Sequence, residues 1–113
     1  MDLSERAIDL LKNNEIARKI IRKLLDSQHY RYAYIEGKDA KVRTGGVLRF
    51  DDHSDKEVHS IAKELFDEDI LDFHIGVTLP VYYLRGERPV PGVAAPRNEE
   101  FRKALAQYKV PSA

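Results

Sequence analysis

The residues with the most chemical potential gather between positions 51 and 74. Asp51, Asp52, His53, Asp55 and His59 come first, and Asp72 and His74 follow. Carboxylates and imidazoles are the ligands of divalent metals and the acids and bases of hydrolysis. The spacing fits neither role. His53 and His59 are not the i, i+4 pair that sets two ligands on one helix face, and no HExxH pattern occurs. Ser54 with Glu57 three residues on reads instead as a capped helix start, where negative charge suits the dipole. No metal and no other cofactor is expected. The chain has no cysteine. It also lacks a G-x-S-x-G elbow, a P-loop and a dinucleotide fingerprint. Gly45-Gly46 lies between strand-forming residues and reads as a bulge or kink rather than a phosphate cradle. The expectation is a protein that binds and does not catalyse.

Charge supplies two candidate binding surfaces. The 113 residues have a formal net charge of zero. Residues 1–50 carry 11 Lys/Arg against 7 Asp/Glu, residues 51–75 carry 2 against 9, and residues 76–113 carry 6 against 3. Arg18, Lys19, Arg22 and Lys23 recur at i, i+1, i+4 and i+5, which places them on one helix face. With Arg31, Lys41, Arg43 and Arg49 they form a candidate phosphate-binding patch for nucleic acid. The acidic middle segment gives the second candidate. There Glu57, Glu64, Asp67 and Glu68 suit a cationic protein surface. Tyr30, Tyr32 and Tyr34 alternate along one strand face. They either pack under the helices or stack bases on an open sheet.

Elements able to position these residues follow from periodicity. Residues 2–28 have helical stripes, Leu3, Ala7, Leu10, Leu11 and then Ile16, Ile20, Ile21, Leu24, Leu25. They form one helix, or two separated at Asn13-Asn14 with Asn14 as the second N-cap. Residues 30–37 alternate and predict a strand, and residues 41–50 predict its hairpin partner. Residues 54–69 predict a helix whose stripe is Val58, Ile61, Ala62, Leu65 and Phe66. Residues 70–75 and 79–85 predict two more strands, with Pro80 at a strand start or edge. Residues 86–96 are rich in Pro and Gly, and a short helix bearing Phe101, Leu105 and Tyr108 follows.

The sequence IAKELFDEDILDFHIGVTLPVYYLRG, residues 61–86, resembles the C-terminal part of winged-helix regulators. A helix there leads through an acidic turn into one strand, and a second strand returns. The resemblance implies a winged-helix-like domain whose preceding helix reads DNA. That helix is acidic here, the intervening GVTLP carries no Arg or Lys, and a hairpin at 30–50 replaces an expected helix. Cationic footprints bind phosphates, so nucleic acid is assigned to the basic helix face rather than to the wing.

The expected fold is a small α+β domain, an antiparallel sheet packed with helices in the order α(α)ββαββ–α. Residues 1–86 form the domain, and 87–113 a Pro-rich linker and C-terminal helix arm. The leading expectation is a regulatory module that binds nucleic acid. The alternative is a protein-interaction or inhibitor module using residues 55–69 and the arm. A homodimer is expected. No apolar run approaches the roughly 20 residues of a membrane span, no signal-peptide core is evident, and a cytoplasmic setting follows.

Overall fold

The computed structural model describes residues 3–26, 33–36, 39–42, 47–48, 53–75, 80–88 and 96–108. It is an α+β arrangement: α1 (Glu5–Asn13), α2 (Glu15–Asp26), β1 (Ala33–Glu36), β2 (Asp39–Val42), β3 (Val47–Leu48), α3 (Asp55–Asp67), β4 (Leu71–Ile75), β5 (Pro80–Leu84) and α4 (Glu99–Ala106). Among the described residues no helix is long and apolar enough to cross a membrane.

The question left open over residues 2–28 resolves as two helices. Asn14 leaves the helical region at φ −97°, ψ 115° and ends α1. Its side-chain oxygen accepts from the Ala17 amide at 2.9 Å, so the same residue caps α2. Ser4 caps α1 through the Ala7 amide. Ser54 and Glu57 close the expected capping box at the start of α3.

The sheet is antiparallel throughout its described strands, in the order β3-β2-β1-β5-β4. The expected single strand over 41–50 is two strands. Lys41 pairs with Val47, so the chain reverses between them instead of continuing through a bulge. Gly45 and Gly46, where a bulge or kink was expected, lie outside the described residues. Pro80 opens β5 opposite Ile75, as its missing amide requires.

Ala7, Leu10, Leu11, Ile20, Ile21, Leu24, Leu65, Leu71, Leu84, Phe101 and Leu105 are among the residues of one buried core. α4 is part of it, since Phe101 and Leu105 are fully buried. The boundary expected after Gly86 falls at the contacts that hold α4 in place. Arg102 of α4 forks onto the Glu87 carboxylate, with two nitrogen–oxygen distances of 2.7 Å. It also donates to the Leu25 carbonyl at the end of α2 (3.3 Å). Glu87 accepts the Asn98 amide (2.9 Å). Asn98 donates to the Arg85 carbonyl and caps α4 through the Phe101 amide. The Arg85 guanidinium lies 5.6 Å from the centre of the Phe101 ring.

Both members of the Glu87–Arg102 pair are buried. Removing one partner of such a pair costs about 3–5 kcal/mol, whereas an apolar swap of both is far milder. Arg102→Ala is therefore expected to lower the unfolding free energy by about that amount in a urea titration, and Glu87→Leu/Arg102→Met by much less. Equal losses in the two would show that the pair's charge is irrelevant. Gly86 has φ +77°, and a Cβ there would come within 2.7 Å of Asn98 Nδ2. Gly86→Ala is expected to cost at least about 1–2 kcal/mol by the same measurement.

Candidate functional site

The first candidate was the basic face of α2. The fold places this helix at the centre, against α1, α3, β1, β2 and β5. Among its residues only Glu15 and Asp26 are exposed, and Arg18, Lys19, Arg22 and Lys23 are half-buried. Three of these four have partners nearby. Arg18 donates to the Lys12 carbonyl (3.0 Å). Lys19 lies 3.4 Å from Glu15, and Arg22 donates to Asp26 at 2.7 Å. Each ion pair joins residues one helical turn apart and is worth a few tenths of a kcal/mol. β2 carries Lys41 at a position paired with Tyr34 and Val47. Arg31, Arg43 and Arg49 lie outside the described residues, as do Tyr30 and Tyr32.

The acidic face of α3 divides differently. Its N-terminal half is occupied with its own cap, since Glu57 serves Ser54. Beside it His53 stands 3.8 Å from Glu15 and 3.9 Å from Glu57. Among the described residues no three His, Asp or Glu side chains gather as a metal set. Asp51 and Asp52 lie outside them. A cleft of about 370 Å³ opens here, lined by Asn14, Ile16, Lys56, Glu57, Ser60 and Ile61.

The C-terminal half of α3 meets the start of α1. Arg6 donates to Glu64 Oε1 at 2.6 and 3.0 Å, and Ser4 donates to Glu68 at 3.1 Å. The hydrogen bond and charge of Glu64 raise the Arg6 pKa further above its ordinary value. Asp67 and Asp69 remain exposed beyond these contacts.

Sequence periodicity placed Phe66 in the buried stripe of α3. It is the exposed large hydrophobic residue of the described structure, at 40 % exposure. Val58, Ala62 and Leu65 turn into the core. Phe66 sits at the margin of that stripe, facing Phe73 of β4 with ring centres 5.7 Å apart. Phe73 packs on Tyr82 of β5 (5.2 Å), and Tyr82 meets His59 edge-on (6.1 Å). A row of rings thus runs from the end strand of the sheet to the flank of α3. Burial, and after it the Asp67 carboxylate, pushes the Tyr82 phenol above its usual pKa.

Residues Phe66 to Asp69 run against three local preferences at once. An aromatic ring is left partly exposed. Asp67, Glu68 and Asp69 crowd the negative pole of α3, whose last turn has no basic residue. Asp69 takes the left-handed conformation, φ 61°. The Ile70 amide reaches the Leu65 carbonyl at 2.9 Å, the six-residue closure in which this position usually holds glycine. Acidity was visible in the sequence. The exposure of Phe66 and the backbone of Asp69 were not.

No family model matches this chain, and neither a curated protein nor a solved structure shows significant similarity to it. The geometry alone bears on function.

A raised phenol pKa has a definite consequence for stability. Tyr82 is neutral in both states below its unfolded value of about 10, so its contribution is intact there. Above that value the unfolded chain ionises first, and stability is lost as pH rises through the folded value. Tyr82→Phe is expected to show a shallower alkaline loss in urea midpoints measured across that range. Asp67→Asn is expected to move the phenol part of the way back in an ultraviolet titration. An unchanged titration would separate Asp67 from Tyr82.

Proposed function

We propose that this chain is a binding module, and that it takes a protein partner at the end of α3 through Phe66, Asp67 and Asp69. The carrying observation is the coincidence of three unfavourable local features in four consecutive residues. Foldable sequences agree with their folds at every level, and departures concentrate where function constrains them. Each of these features finds a use in a partner. A ring at the edge of an aromatic row offers an anchor with little entropy to lose. Carboxylates beside it suit an arginine or lysine, whose flat or aliphatic part covers the ring. The helix pole adds negative potential to the same place. The partner is therefore a protein segment that presents a basic residue next to a bulky apolar one. Glu64 and Glu68 hold this end of α3 to α1 rather than facing the partner.

Binding of nucleic acid is the second reading. What favours it is the packing of α2 against β1 and β2, which brings the helix bearing Arg18, Lys19, Arg22 and Lys23 beside the strand bearing Lys41. It is set against the local contacts of Arg18, Lys19 and Arg22, each of which a phosphate would have to replace. A winged-helix relationship is likewise a proposal. It is supported by the α3–β4–β5 order and by the pairing of β1 with β5. Strands β2 and β3 stand where such a domain would carry another helix.

A random peptide library panned against the whole chain tests the first reading. Selected peptides are expected to pair Arg or Lys with aromatic or aliphatic residues. Their affinity should fall about tenfold or more for Phe66→Ser and for Asp67→Lys, the loss of an anchor or the reversal of a charge. Asp69→Gly is expected to weaken binding while raising stability by about 1 kcal/mol, since glycine carries no left-handed penalty. Peptides without charge bias, or variants that bind as the parent does, would exclude this surface. Fluorescence anisotropy with labelled oligonucleotides at about 50 and 200 mM salt tests the second. Phosphate contact predicts steep loss of binding between the two, deepened by Lys19→Ala/Lys23→Ala.

A further inference from the structure

The last strand of the sheet borders the same row of rings. β4 pairs with β5 on one side, and among the described residues no strand pairs with its other side. The phase of the ladder shows which groups face outward. The Arg85 amide bonds the Ile70 carbonyl at 3.1 Å, so 70 and 85 are a hydrogen-bonded pair. With Leu71 opposite Leu84 and His74 opposite Val81, the hydrogen-bonded positions of β4 are 72 and 74. The backbone groups of 71, 73 and 75 therefore point away from β5. The Phe73 carbonyl confirms this phase, because what reaches it is Arg88 Nη1, at a long 3.4 Å. Arg88 Nη2 lies 3.0 Å from His74 Nδ1. An arginine only donates, so Nδ1 accepts and the ring proton of neutral His74 sits on Nε2.

An outward row of donors and acceptors beside an exposed aromatic ring is a template for another strand. The sequence of β4, Leu-Asp-Phe-His-Ile, also specifies which strand fits. Two copies laid antiparallel about Phe73 place each Phe73 opposite the other. Asp72 of each then stands opposite His74 of the other. These flanking positions form non-hydrogen-bonded pairs, where side chains are closest. A carboxylate meets an imidazole N–H at both, related by the two-fold axis that a closed dimer requires. Centring on either neighbour would instead oppose Asp72 to Asp72 or His74 to His74.

We propose that this chain forms a two-fold homodimer by antiparallel pairing of β4 with β4 of a second copy, centred on Phe73. Two five-stranded sheets become one. The long Arg88 contact at the Phe73 carbonyl is exchanged for a backbone hydrogen bond. The inference rests on the protein-binding reading only in that both use the rings around Phe66. Its own evidence is the strand edge.

Sedimentation velocity of the whole chain over a concentration series tests it. The parent is expected to move from monomer to dimer. His74→Asp, a change at an exposed position, sets carboxylates opposite carboxylates and should weaken the dimer about tenfold or more. Asp72→His sets imidazoles opposite imidazoles and should do the same. An equimolar mixture of the two variants restores a carboxylate–imidazole pair at both positions and should dimerise as the parent does. Circular dichroism of each variant confirms that it is folded. A parent that stays monomeric overturns the proposal. So does a dimer indifferent to His74→Asp, or one that the mixture fails to restore. None of these outcomes touches the peptide-binding test, because Asp67 and Asp69 are intact in every variant used.

Discussion

The buried fork between Arg102 and Glu87 is the contact on which the arrangement depends. It joins Glu87, at the start of the Pro- and Gly-rich segment, to Arg102 beyond it, and its third donor–acceptor link reaches the end of α2. Two charges taken out of water are stable only if every lone pair and proton finds a partner. Here the carboxylate accepts from Arg102 and from the Asn98 amide, and Asn98 in turn caps α4. The polar network therefore fixes where α4 begins and how it lies. Phe101 and Leu105 can then join the core.

With α4 seated, α2 is enclosed. A helix surrounded by α1, α3 and the sheet cannot present a wide polar face, and its cations settle onto nearby acceptors. The same logic governs α1 and α3. At the acidic end of α3, Arg6 offsets part of the charge and Ser4 donates to Glu68. Basic and acidic segments that are separate along the chain are thereby interleaved in space. Beyond these contacts Asp67 and Asp69 stay exposed beside Phe66.

Local signals accounted for much of the architecture. The capping box at Ser54, the cap at Asn14 and the start of β5 at Pro80 are all readable, because each is decided within four residues. The antiparallel pairing of β2 with β3 was not, because an apolar alternating run reads as one strand whether or not it folds back on itself. The candidate site was only partly legible. Its acidity is a matter of composition, and Asp67 and Glu68 stood out on that basis. Phe66 belongs by spacing to the buried stripe, and nothing nearby in sequence says that the stripe ends one residue short of it.

The sequence by itself determined the element types, their caps and the apolar faces, since helical and strand periods are set by the backbone and need no distant partner. Tertiary structure alone decided which charges meet. Arg6 finds Glu64 and Arg102 finds Leu25 across separations no local rule spans. It also decided that β4 is the outermost of the described strands and that Phe66 stays partly exposed. These are outcomes of how α3 lies on the sheet. A side chain's burial depends on what covers it, and that is a property of the packed whole.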